Sequence, residues 1–322
     1  MFQLDSPDNI CMKQRKSFDV LGLGAVAVDD FIYVGRYPRL DSKAPVLDRK
    51  RNCGGLAATA LIAAARLGAR CAYAGVLGRD ELSAFVLGCL EAEGIDVSHV
   101  KQTFSAGPVY SNIVVDQQRG TRNIFHDERK AVGPGLHVSG QVISSCRVLL
   151  VDNIGVPGMI RAARLARRGG IPVVADFEEE SHPRFGELLR LSDHLIISER
   201  FAATLTGKRD PRQAVRMLAG GGHEVTIVTC GAKGCWVLPR GGEAPKHQPA
   251  FRVKALDTTG CGDIFHGAYA FGLARGWPLR QRLLVASAAA GLKASNNGGR
   301  AAIPSLRIVR RFLKDELASQ TG

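Results

Sequence analysis

Short apolar runs alternate with amphipathic stretches along most of the 322 residues. The runs at 18–28, 71–77, 148–152, 172–176, 194–198 and 225–230 have the length and β-branched content of buried strands. Between them, residues 56–67, 81–93, 157–168, 201–206 and 211–219 carry apolar side chains at helical spacing, and Gly68 stops the first of these. Strands that are apolar on both faces, separated by helices, predict a parallel sheet covered on both sides. The helical pattern returns at 264–275. The alanine-rich stretches 56–65 and 283–292 read as buried helix faces, well short of the roughly 18 residues a membrane span needs.

One region breaks the rhythm. Residues 109–115 and 121–125, joined by the polar segment 116–120, predict a hairpin instead of another strand–helix–strand unit. With short strands at 31–34 and 45–48, it would form a small separate sheet, a lid made of segments at about 31–52 and 107–127. The expected organisation is a flexible tail at 1–17 and a single α/β/α domain over 18–322.

Composition narrows the class. Hydrophobic residues at 45% and charged residues at 23% describe an ordinary globular chain, which excludes a disordered protein or a small stapled scaffold. The eight cysteines form no CxxC pair, and the first 17 residues are polar without an apolar export core. Reduced thiols in a cytoplasm are therefore expected. The net charge of +13 permits anionic partners. Its basic residues are dispersed, with only a cluster at 49–51, and no aromatic platform interleaves them, so neither nucleic acid nor membrane is an expected partner.

The segment Asp257-Thr258-Thr259-Gly260-Cys261-Gly262-Asp263 opens a helix. A glycine turn at a helix start leaves backbone N–H groups unpaired and outward, and the helix dipole adds to them. Such a site suits charge developing on a transferring phosphoryl group. Asp263, in the first turn, is placed to take a proton from an attacking hydroxyl. The bland alternative is an N-terminal capping carboxylate, and spacing alone leaves both open. There is no GxxxxGK[ST] phosphate loop. Gly22-Leu23-Gly24 follows the first strand, but Ala27 stands where a dinucleotide fingerprint has a third glycine, so close packing at a strand end competes with cofactor binding.

The stretch 257–270, DTTGCGDIFHGAYA, resembles the C-terminal signature of the ribokinase-like (PfkB) carbohydrate kinases. Cys53-Gly54-Gly55 leading into ATALIAAARLGA resembles the same family's N-terminal glycine pair. Order, separation and background match over about 18–315, and within the family the resemblance leans toward sulfofructose kinases and more distantly ketohexokinases. It implies a three-layer α/β/α fold with a small lid, ATP with Mg²⁺, a sugar acceptor and a homodimer through the lid. Among residues it implies Asp263 as base, with the amides of Gly260, Cys261 and Gly262 as anion hole. Asp29 would bind substrate hydroxyls, with its neighbour Asp30 as competitor, and Gly54, Gly55, Thr59, Lys43 and His126 would line the substrate. Thr229, Gly231, Lys233, Asn296 and Gly262 would meet the nucleotide. Glu199 would join the magnesium network indirectly, and carbonyls at Asp257 and Thr259 would hold K⁺, as in some members.

The departures are also specific. Ala27, Leu56 and Thr59 replace polar positions of ribokinases, and the NxxE metal motif reads Ser198-Glu199-Arg200-Phe201. Cys261 stands where most members have alanine, and either a reactive thiol or a small packing residue fits there. The expected reaction is phosphorylation of a hydroxyl, in particular a primary CH₂OH. A nucleoside kinase on the same fold and a non-catalytic sugar-binding regulator are the alternatives.

Overall fold

In spatial order, the strands Lys246–Gln248, Cys235–Pro239, Val225–Thr229, His194–Ser198, Val173–Phe177, Cys146–Asp152, Phe18–Gly22 and Cys71–Tyr73 make an eight-stranded sheet. The computed structural model that shows this describes residues 16–180, 182–296 and 299–319. Pairing is parallel from Val225–Thr229 through to Cys71–Tyr73, and antiparallel on both sides of Cys235–Pro239. Alternate strand residues feed two cores. Val20, Val148, Leu150, Val174 and Ile196 meet the helices Leu56–Arg66, Glu81–Ala92, Cys261–Ala274 and Leu279–Ala294. Leu21, Leu149, Val151, Ala175 and Leu195 meet Val156–Arg168, Phe185–Leu191, Glu199–Thr206 and Pro211–Ala219. Burial on both faces explains why these strands read as unbroken apolar runs. A mainly parallel sheet between two helical layers, with a separate small sheet, is the expected fold class.

The small sheet has the order Val46–Gly54, Ala27–Val34, Val109–Asp116, Thr121–Asp127. Its hairpin is the one expected from the pattern, with Asp116 paired to Thr121. The single strand expected at 18–28 is instead two. The first ends at Gly22, and a second begins at Ala27 in the other sheet. The break has a packing cause. A Cβ on Gly24 would lie 2.0 Å from Asp152 Oδ2, so only glycine lets the chain pass that carboxylate and turn away. Leu23, Val26 and Val28 stay buried through the crossing, which keeps the run apolar. This settles the Gly22–Gly24 pair as close packing at a strand end.

Other differences are smaller. The run 71–77 splits into Cys71–Tyr73 and Val76–Leu77, and the antiparallel edge strands were not expected. The tail expected at 1–17 lies outside the described residues up to position 15, as does Cys11. Among the described residues, no helix is long and apolar enough to cross a membrane.

Candidate active site

The parallel strands end on one edge of the sheet, and the helix Cys261–Ala274 starts there. His266, one turn in, is 3% exposed and fixes that start. Its Nε2 lies 2.9 Å from the Ile196 carbonyl, while Nδ1 lies 2.8 Å from the Gly262 carbonyl and 3.2 Å from Asp176 Oδ2. Gly260 caps the helix at φ 74° with no side-chain cap. The Cys261 amide donates to the Thr258 carbonyl at 3.3 Å, which leaves those of Gly260 and Gly262 to meet an anion. Asp263 stands half-buried in the first turn. Burial, with the nearby charges of Asp176 and Glu178, raises its carboxyl well above the usual range.

Across a cavity of about 940 Å³ lies the base of the small sheet. Asp29 reaches this cavity and Asp30 does not. Adjacent strand residues face opposite ways, and Asp30 is held on the outer face by Arg51, at 2.7 Å, and by the Tyr110 hydroxyl, at 2.9 Å. Burial pushes the Asp29 carboxyl up, with the Ser111 hydroxyl opposing. The glycine pair makes room for it. A Cβ on Gly54 would fall 2.2 Å from Asp29 Oδ2, and one on Gly55, at φ 94°, would fall 2.6 Å from the Ala25 carbonyl oxygen.

Gly54, Gly55, Thr59, Asp257, Thr259, Gly260 and Asp263 line this one cavity with Asp29. Other expected residues lie off its wall. Lys43 is exposed on the loop between two small-sheet strands. His126, also exposed, pairs with Ser111 and so shares the cavity-facing side of that sheet without lining the cavity. Thr229, Gly231 and Lys233 follow the strand Val225–Thr229, two places along the sheet from Val173–Phe177. Asn296 is exposed, its side-chain amide donating to the Leu292 carbonyl at 2.8 Å. Residues 297 and 298 lie outside the described chain. Glu199 lies 3.9 Å from Lys233 Nζ, and the fourth position of its motif is Phe201, 4% exposed in the core.

The cavity also holds groups not singled out from sequence: Lys50, Asn52, Arg122, Lys293 and Arg300. Lys50 and Asn52 alternate with Arg51 on one strand, and pairing with Phe31 and Asp29 turns them inward. Arg122 extends from the sheet edge across to the 257–260 turn, its Nη1 donating to Thr259 Oγ1 at 2.6 Å. Cys261 is the packing alternative. Its Sγ faces the Ala290 carbonyl at 3.5 Å, and burial pushes the thiol up to about 11 despite the helix start.

A model of the pfkB family carbohydrate kinases matches residues 23–306. The chain belongs to this family. As a PfkB member it is an ATP-dependent carbohydrate kinase. It is 26% identical over 314 residues to the ribokinase of Haemophilus influenzae, covering 93% of this chain and 99% of that protein. A crystal structure from Agrobacterium tumefaciens, assigned provisionally as a ribokinase, superposes with a TM-score of 0.87 at 28% identity, over 94% of this chain and 99% of that one. The fold is shared with Arabidopsis thaliana ribokinase complexed with ribose and ATP, at a TM-score of 0.83 and 22% identity, over 92% of this chain and 99% of that one.

Proposed function

We propose that this PfkB kinase transfers the γ-phosphoryl group of ATP to a hydroxyl, a primary CH₂OH, of a sugar or sugar-like acceptor bound between Asp29 and Asp263. The observation that carries this reading is the meeting of those two carboxylates with the Gly260 cap of a helix start in one cavity. Asp29 accepts hydrogen bonds from acceptor hydroxyls, and the Gly54–Gly55 backbone lets the sugar lie close. Asp263 takes the proton of the attacking hydroxyl. Its raised affinity for a proton suits that task. The amides of Gly260 and Gly262 offset charge on the phosphoryl group, joined by that of Cys261 if it gives up its 3.3 Å bond to the Thr258 carbonyl, and Arg122 adds a positive charge carried by the small sheet.

Thr229, Gly231, Lys233 and Asn296 would hold the nucleotide, with Glu199 beside Lys233. Among the described residues, no group of three or more His, Cys, Asp or Glu side chains could cage a metal ion. That donor set fits a Mg²⁺ that arrives on the phosphates and is held through water. Its chemistry there is to neutralise charge on the β- and γ-phosphates. The small sheet acts as a lid that excludes water from the acceptor side. Free thiols such as Cys53 and Cys230 suit a reducing compartment such as the cytoplasm.

ADP release measured across pentoses, ketohexoses, sugar acids, sulfonated sugars and nucleosides tests the reading. Turnover with a sugar class supports it, and ATP-dependent turnover with nucleosides alone would replace the acceptor. Asp29→Ala is expected to raise the acceptor KM about 10-fold or more, as loss of a hydrogen bond to a charged group predicts. The KM for ATP should hardly move, and Asp30→Ala should leave both unchanged. If Asp30→Ala alone raises the acceptor KM, the acceptor lies on the other face of the sheet.

The lid also supports a homodimer. Among the described residues, its edge strands Val46–Gly54 and Thr121–Asp127 have no outer neighbour, and Leu47 and Phe125 are exposed. Light scattering should give twice the chain mass for the wild type and a shift toward monomer for Phe125→Asp. A monomeric wild type at micromolar concentration removes the dimer from the account.

A further inference from the structure

Lys293 lies in the last turn of the helix Leu279–Ala294 and is 1% exposed. Its Nζ donates to the Asp257 carbonyl at 2.9 Å and to Asp257 Oδ2 at 2.7 Å. Both partners are acceptors, so Nζ spends two of its three N–H donors on Asp257. The amides of Leu256 and Asp257 donate in turn to the Ala294 carbonyl, at 2.7 and 3.1 Å. Asp257 Oδ1 then accepts the Thr259 amide at 2.9 Å, one residue before the Gly260 cap. A continuous chain of contacts thus runs from a buried cation to the turn that presents the anion hole. Burial works against ionised Asp257, but the Lys293 and Thr259 hydrogen bonds hold its carboxyl below the usual range.

The residues present do not fit a separate K⁺ ion at the Asp257 carbonyl, because the ammonium already occupies it. Potassium and ammonium ions carry the same charge and take the same oxygen ligands. We propose that Lys293 is a tethered monovalent cation that holds the 257–260 turn in its catalytic shape, so that this kinase needs no K⁺. The inference rests on the kinase reading above. Lys293 acts through Asp257 and is a positioning residue.

Wild-type turnover should be the same in potassium chloride and in choline chloride of equal ionic strength. Lys293→Ala should lower kcat on the order of 100-fold, the cost of about 1 Å of misplacement at a reacting centre. Because the alanine leaves a hole lined by the same carbonyl and carboxylate, ammonium or K⁺ should restore much of the rate in a saturable way, and choline should not. Thermal unfolding gives a second readout that requires no acceptor. The variant should melt higher in ammonium or potassium than in choline, and the wild type should melt alike in all three. Activation of the wild type by K⁺, or a variant indifferent to the cation in both rate and melting, overturns the proposal. The wild-type comparison decides the matter if the variant does not fold. Failure of the kinase reading would look different, as absence of ADP release by the wild type in every salt.

Discussion

Asp263→Asn is expected to lose nearly all turnover while raising the melting temperature, and both effects come from the same carboxylate. Removing a general base typically costs on the order of 10²–10⁴ in rate. The stability effect follows from burial, reinforced by Asp176 and Glu178, which raises the folded-state pKa of Asp263. A carboxyl with a raised folded pKa binds its proton more tightly in the folded chain than in the unfolded one. Its contribution is therefore most favourable below the ordinary carboxylate range and declines as pH rises through the folded value. Above the ordinary carboxylate range the cost of ionising this buried group therefore works against the fold, and asparagine removes that cost without changing the shape. In a domain of this size each kcal/mol gained raises the melting temperature by about 1.5 °C. The wild-type pH profile of kcat/KM should accordingly rise with pH through a range above that of ordinary carboxylates. Initial-rate assays and thermal unfolding of the pair check both parts. Turnover within about threefold of wild type, far outside that general-base range, would falsify the assignment of Asp263 as base.

Arg122→Ala is expected to lower kcat by about 10²–10³, the range for losing one donor to a developing oxyanion. The residue leaves an edge strand of the lid and reaches Thr259 beside the anion hole, so its charge arrives when the lid covers the acceptor. Saturating ATP and acceptor should not recover the rate, since the contact matters in the transition state. Arg122→Lys should recover only part of it, because an ammonium lacks the planar fork that can bond a hydroxyl and a phosphoryl oxygen together. An unchanged kcat with a raised acceptor KM would instead make Arg122 a substrate-binding group.

Much of the fold was legible because two-sided burial leaves a direct imprint. Strands such as His194–Ser198 and helices such as Pro211–Ala219 appear at the residues where their apolar patterns begin and end. The pattern failed at 18–28 because burial there continues through a change of sheet, and what bends the chain is a tertiary contact between Gly24 and Asp152. The glycine turn that opens the helix Cys261–Ala274 was legible for a different reason. Its glycines and two aspartates are contiguous, and backbone amides at a helix start need no partner from elsewhere. Arg122, Lys50 and Lys293 were not, since each gains its meaning across long separations, 137 residues for Arg122 with Thr259. The family resemblance pointed to Lys43 and His126, but Lys50 and Arg122 line the cavity instead. The strand register that turns Lys50 and Asn52 inward depends on their pairing with Phe31 and Asp29, which composition does not specify.

Phosphorus NMR of the wild-type reaction, run with the acceptor that gives the fastest ADP release, tests the central claim most directly. Transfer to a primary hydroxyl predicts a new phosphomonoester signal, split into a triplet by the two CH₂ protons. It should grow in step with loss of the ATP γ-signal and be missing with Asp263→Asn. Inorganic phosphate as the sole new signal, formed at the same rate with and without the acceptor, would contradict the claim that this cavity phosphorylates a sugar.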